Sequence, residues 1–383
     1  MRRPILWAGA YAILATAVAA VFATAILGGG YRAVERSDYM TYQTAGRIVL
    51  HGDGACLYTV DCQAVAQREL IGEEPSFARG ALPFNSPPWL AALVAPLALL
   101  PLHTAFAVFT LLSILLLALA AWRLAWGGRG MRLVAVALVL SAWPTVMGAI
   151  RGQSTLATAA LLGLSASASL AGASGRAGAL AGLAALKPTL VPLWLAHLAV
   201  ERRWRSLLVA PAVIGGLVGL AALVVSPQAV ADYPAYLLNL AGGADAPGIR
   251  VEQMINWRGA GLRLGVGGWF VIGGSIATLG LVAVAWLRGR SWHLGAAAAF
   301  LATPLVIPHA NQHEFVLATL GILLVVVALP EMRRLLVPLA IGTHLVLWSG
   351  AVLDAQASAW LLFGLQICWL LMVVWLARRG PNG

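Results

Sequence analysis

Asp38 stands in Ser37-Asp38-Tyr39-Met40-Thr41-Tyr42, directly after an N-terminal apolar stretch. A carboxylate placed there can take a proton from a hydroxyl as general base. Ser37 or Asp38 can equally cap a following helix. Lys187 is the only lysine of the chain and precedes Pro188 in apolar sequence. An ammonium at membrane depth is costly and marks function by default. It suits phosphate as a point charge, and it can also snorkel to the interface. Arg151 and Gln153 share one polar turn, and Asn256-Trp257-Arg258 makes another. Arginine grips phosphate with paired donors. Tryptophan offers an apolar face to a ring or anchors a helix at the membrane surface. His309-Ala310-Asn311-Gln312-His313-Glu314 is the densest polar run of the C-terminal half. His313 can shuttle a proton or hold a phosphate, and the whole run also reads as a polar cap between two helices. The run lacks HExxH-type spacing, so no metal site is expected in it.

The elements that must position these residues are membrane helices. Hydrophobic residues make up 61% of the 383 positions and charged residues 10%, against roughly 25% charged in ordinary soluble domains. Apolar runs recur near 4–27, 103–124, 131–149, 154–172, 176–187, 189–200, 206–225, 268–287, 292–308, 315–330, 334–352 and 356–377. This predicts an all-α polytopic membrane protein of about twelve spans in one integral-membrane unit over 1–383. The runs 176–187 and 189–200 are too short to cross comfortably. They read as a broken pair meeting at Lys187-Pro188, a break tolerated where the freed backbone lines a cavity.

The net charge is +11. In a soluble protein that would suggest nucleic acid, but here the positive charge falls in short loops and no nucleic-acid partner is expected. When the spans alternate, Arg2/Arg3, Arg123/Arg129/Arg132, Arg176, Arg202/Arg203/Arg205, Arg288/Arg290, Arg333/Arg334 and Arg378/Arg379 all fall on one side. The positive-inside rule makes that side, and both termini, cytoplasmic. The excess of Ala, Leu, Gly and Arg is compatible with a GC-rich bacterial genome. The chemistry-bearing residues then face outward. A long first outer loop, 28–102, is expected to carry amphipathic helices near 37–50 and 60–71, with the apolar 87–101 dipping toward the outer leaflet. The second large outer segment is 226–267. Cys56 and Cys62 share the first loop, where a disulfide can persist; Cys368 reads as an apolar filler in a span. Arg2-Arg3 and the run to Leu27 resemble a signal peptide, but the run is long for one and reads as an uncleaved first helix.

In order along the chain come Asp38-Tyr39 with Tyr42, Ala45-Gly46, Leu57-Tyr58, Pro83-Phe84-Asn85, Pro87-Pro88 and Ala95-Pro96-Leu97-Ala98-Leu99-Leu100-Pro101. Then follow Gly152-Gln153, Ala181-Gly182-Leu183, Lys187-Pro188, Arg203-Trp204-Arg205, Asn256-Trp257-Arg258-Gly259 and His313. In this order and spacing the chain resembles the polyprenyl-phosphate-sugar-dependent glycosyltransferases of the GT-C superfamily, and most closely the mannosyltransferase-like glycosyltransferase family 87. Two positions depart from the family pattern: Ser86, where Tyr often precedes the paired prolines, and Glu314, where a second His is common.

The resemblance implies a GT-C fold and inverting transfer from a polyprenyl-phosphate sugar, mannose foremost, at the outer face of the membrane. A glycolipid, a glycan polymer or a protein is compatible as the acceptor, a glycolipid or glycan foremost. Asp38 is implied as the base, Lys187, Arg151 and Arg258 as stabilisers of the phosphate charge, and His313 as orienter, proton partner or phosphate ligand. Gln153, Asn256, Tyr42 and Trp89 complete the candidate binding set. Residues 87–101 and the short helix pair would line a groove for the lipid. No cofactor is implied, and the chain carries no phosphate-cradling glycine loop of the Rossmann or P-loop kind. The same cations also suit a transporter or flippase of a lipid-linked anion, although no internal repeat is visible.

Overall fold

The computed structural model describes residues 2–28, 32–72, 81–242, 250–289 and 291–379. Arg290, residues 29–31 and 73–80 of the first loop, and residues 243–249 of the second lie outside the described residues. Helix α1 (Arg2–Gly28) leads to α2 (Arg32–Glu35), α3 (Tyr39–Leu50), α4 (Val60–Ile71) and α5 (Pro88–Val94). Next are α6 (Leu102–Leu124), α7 (Arg129–Ser141), α8 (Trp143–Ile150), α9 (Ser154–Leu170), α10 (Ser174–Leu183), α11 (Pro192–Val200) and α12 (Trp204–Val224). The chain continues through α13 (Pro227–Gly242), α14 (Trp257–Leu264), α15 (Gly268–Arg288), α16 (Trp292–Val306), α17 (Phe315–Ala328), α18 (Arg333–Leu347) and α19 (Ala355–Arg379). Among the described residues the only β feature is an isolated antiparallel bridge between Met254 and Asn311.

The protein is an all-α multi-pass membrane protein, but the expected count of twelve spans is not confirmed. Five helical segments are long and apolar enough to cross: Leu102–Leu124, Trp204–Val224, Gly268–Arg288, Pro330–Ala351 and Ala355–Arg378. The pair α7–α8 makes a sixth if counted as one span bent by 58°. The bend follows from Ala142, whose backbone is extended. Pro144, with no N–H to give, then fits the first turn of the new helix. The other apolar helices are shorter. α9, α16 and α17 have 17, 15 and 14 residues, which at about 1.5 Å per residue gives roughly 21–26 Å against a hydrocarbon core of about 30 Å.

These short helices are the buried ones. Nearly every residue of α16 and α17 is inside the protein, and α9 packs between α6 and α10. Runs such as Ala296–Ala299 let the backbones approach closely, the usual means of association where lipid and side chains are equally apolar. The long helices α12 and α15 are largely exposed along their length, as a lipid-facing helix should be. A helix that need not meet lipid need not match its thickness, so the short central helices stop early and leave room at one end.

The first loop folds over that end. Helices α3 and α4 occupy the two stretches expected to be amphipathic. A disulfide joins Cys56, in the connection between them, to Cys62 in the first turn of α4. The 87–101 segment forms α5 and a 3-10 turn, packed on α3 and α12. Its apolar residues share a cluster with Tyr39, Tyr42, Phe84 and Phe106. The opposite end carries arginines: Arg333 donates to Val326 O and Val327 O at the end of α17 and lies over the Trp126 ring.

Candidate active site

A cavity of about 320 Å³ opens where the short helices stop. Asp38, Gln153, Lys187, Arg258, His309 and His313 all line it; Arg258 stands in the first turn of α14, and the others sit at breaks between helices. Asp38 immediately precedes α3. It makes no cap bond there; instead its Oδ2 accepts from Gln153 Nε2 at 2.5 Å. Gln153 sits on the tight turn between α8 and α9, and Gly152 makes that turn possible. Gly152 has φ +61, and a Cβ on it would fall 2.6 Å from Tyr39 Cβ, so only glycine suits both backbone and space. Tyr39 N–H donates to Arg151 O at 3.1 Å, which clamps the turn against the start of α3.

Lys187 stands at the break between the 3-10 turns Ala184–Leu186 and Pro188–Leu190, where the sequence pattern places a broken pair. Its Nζ donates to Thr155 Oγ1 at 3.0 Å and pairs with Glu314 Oε1. Glu314 is fully buried. Its Oε1 also accepts from Thr155 Oγ1 at 3.0 Å and lies 3.0 Å from His313 Nε2. Its Oε2 accepts from Asn311 N–H at 2.6 Å. A buried carboxylate is tolerated when its oxygens meet donors or cations, and both oxygens of Glu314 do. His313 therefore donates through Nε2 to Glu314, which turns Nδ1 away from the carboxylate.

The remaining wall is mixed. Arg258 Nη1 donates to Pro308 O at 3.2 Å. His309 Nε2 is 3.2 Å from Asn311 Nδ2; burial pushes its imidazole down to about 4, so it is neutral at pH 7. Tyr42 lines the cavity and donates to Ser154 Oγ at 3.1 Å. Tyr233 and Leu237 of α13 give the cavity an apolar flank. Tyr58 stacks on Tyr233 and Tyr236 beside it and donates to Ser86 O at 2.9 Å.

Three of the expected binding residues lie elsewhere. Arg151 points into a smaller neighbouring pocket. Asn256 is fully buried and structural: it caps α14 by accepting from Gly259 N–H at 2.8 Å and donates to Ile307 O at 2.7 Å. Trp89 is buried, donates to Ala185 O at 2.7 Å and packs edge-on to Tyr233 behind the cavity wall. Sequence reasoning missed Glu314 as the counter-ion of Lys187. A signal existed: from residue 250 onward the chain has only four acidic residues, Glu252, Glu314, Glu331 and Asp354, and a membrane lysine needs a partner. It also missed the aromatic group of Tyr58, Tyr233 and Tyr236, which comes together only in space. Among the described residues no group of three or more His, Cys, Asp or Glu is arranged to hold a metal ion.

The chain is thus a multi-pass helical membrane protein with a carboxylate, an amide, a lysine and an arginine around one cavity at the end of its short helices. The chain belongs to glycosyltransferase family 87, whose model matches residues 84–330, and is a glycosyltransferase. That match takes in Gln153, Lys187, Arg258 and His313; Asp38 precedes it and joins through the Gln153 hydrogen bond. No curated protein and no solved structure matches the chain.

Proposed function

We propose that the protein transfers a sugar, mannose foremost, with inversion from a polyprenyl-phosphate donor to a hydroxyl of a glycolipid or glycan acceptor, at the extracytoplasmic face of a bacterial inner membrane. The observation that carries this reading is the pairing of Asp38 with cations across one cavity. A single carboxylate lies in reach of solvent, its orientation set by Gln153, and Arg258 and Lys187 line the same space.

The acceptor hydroxyl donates its proton to Asp38 as its oxygen attacks the anomeric carbon. The bond from that carbon to the phosphate oxygen breaks on the opposite face, and polyprenyl phosphate leaves with the electron pair. The new glycosidic bond is inverted, and the proton rests on the Asp38 carboxyl. Charge growing on the leaving phosphate meets Arg258 first. Lys187 already shares its charge with Glu314 and contributes less than a free ammonium would. Tyr233 and Leu237 offer the prenyl chain an apolar approach from the side of α13, and Pro87, Leu186 and Pro188 continue it. The arginine-rich loops at the far end support a cytoplasmic placement of that end, which puts the cavity outside.

The test is transfer from radiolabelled polyprenyl-phosphate mannose by purified protein in nanodiscs with a membrane lipid extract, alongside Asp38→Asn. Label should move to a new product with the wild type and not with Asp38→Asn. Transfer at the wild-type rate by Asp38→Asn ends the assignment of the base. Donor binding with no product from any extract favours a lipid carrier instead.

A further inference from the structure

A second pocket of about 160 Å³ adjoins the cavity, and the two share His313. Two segments contribute to both. On the turn between α8 and α9, Arg151 lines the smaller pocket and Gln153 the larger. On the link between α16 and α17, Gln312 lines the smaller and Asn311 the larger. The smaller pocket is walled further by Trp143, by Gln253 and by Gly350 of the hairpin before α19.

Its chemistry differs from that of the cavity. No carboxylate lines it. Arg151 Nη1 donates to the neutral Gln253 Oε1 at 3.2 Å, and no ion pair neutralises it among the described residues. A guanidinium carries five donors in a planar fork, so the remaining ones are available to an anion with two oxygens in one plane. Gln312 Oε1 accepts from Trp143 Nε1 at 3.3 Å; this fixes the amide and leaves its NH₂ as a donor beside the guanidinium. The pocket is also tied to the base, because Arg151 O accepts the N–H of Tyr39, the residue after Asp38.

We propose that this smaller pocket is the acceptor subsite, and that it selects an acceptor headgroup carrying an anionic group, phosphate or carboxylate, next to its hydroxyls. The proposal rests on the glycosyl-transfer reading for the word acceptor; the anion site itself stands without it. Arg151 grips the anion, Gln253 and Gln312 meet the flanking hydroxyls, and the reacting hydroxyl lies toward His313 and the Asp38 side. A neutral acceptor would leave Arg151 unanswered and bind weakly.

Direct binding tests this without any turnover. Protein in phosphatidylcholine nanodiscs is titrated calorimetrically with glycerophosphoglycerol, and native mass spectrometry compares retention of phosphatidylglycerol with phosphatidylcholine. The wild type should bind the anionic probes, and Arg151→Gln should weaken them by roughly tenfold or more, the worth of a charge-assisted pair. Arg151→Lys should fall between. These variants keep the backbone bond from Tyr39 N–H to Arg151 O and lose only the side-chain bond to Gln253, so they should melt close to the wild type. If they do not, Gln253→Glu sets a carboxylate against the guanidinium and should abolish anion binding by itself. Preference for the phospholipid over the soluble probe marks a lipid-borne headgroup, and equal competition by the soluble probe marks a free one; either supports the subsite. Equal anion affinity in wild type, Arg151→Gln and Gln253→Glu overturns it, as does failure of the wild type to bind either anionic probe. If anion binding depends on Arg151 while no sugar is ever transferred, the transfer reading fails and the anion site stands.

Discussion

Two buried histidines sit in opposite surroundings. His313 faces Glu314, which also takes Lys187 and Thr155, and the group borders the cavity. His344 is held by neutral partners: the Tyr11 hydroxyl is 2.7 Å from its Nδ1 and the Ser141 hydroxyl 3.1 Å from its Nε2. It borders a small pocket lined almost wholly by apolar side chains such as Leu138, Ile322 and Val337. Both rings have a hydrogen-bonding partner, so a partner alone does not separate a candidate site histidine from a packing one. What separates them is net charge kept in a place where charge is costly, together with access to polar space.

That contrast predicts large functional effects at one cluster and small structural ones at the other. The largest is at the proposed base: Asp38→Asn should lower transfer by about 10²–10⁴-fold at unchanged melting temperature, read as kcat/KM beside a thermal melt. Glu314→Ala leaves Lys187 without its counter-ion and should cost about 3–5 kcal/mol of stability. The double variant Glu314→Ala, Lys187→Met should recover a good part of that loss in detergent denaturation. If the double falls by the sum of the singles, the pair does not act as a unit. Trp89→Phe keeps the ring packing and loses the bond to Ala185 O, at about 1 kcal/mol; donor KM should stay constant, and a raised KM would return Trp89 to the binding set. His344→Phe should cost about 0.6–1.7 kcal/mol, the worth of hydrogen bonds between membrane helices, with no change in turnover. A loss of rate there would erase the distinction between the two histidines.

Much of the site was legible because membrane sequence is so sparse in polar residues. Lys187 stands alone in apolar sequence, Asp38, Arg258 and His313 fall in short polar stretches between apolar runs, and all four border the cavity. Asn256 stands out equally and is a helix cap, because a polar residue before a helix looks the same whether it answers backbone or ligand. The span count was less legible. Apolar runs mark burial in lipid or in protein alike, and α9, α16 and α17 are apolar because they are enclosed by other helices.

By itself the sequence determined the class: apolar runs too frequent for water, cations gathered in one set of loops, and a single lysine at a proline break. These are local properties, set by the cost of placing charge or free backbone in hydrocarbon. Only the tertiary structure decided that Lys187 answers Glu314, 127 positions away, and that Arg151 and Gln153, two residues apart, look into different pockets. Such pairings depend on which helices stop short and which turn is clamped against which. That is a matter of packing between distant segments, and no window along the chain contains it.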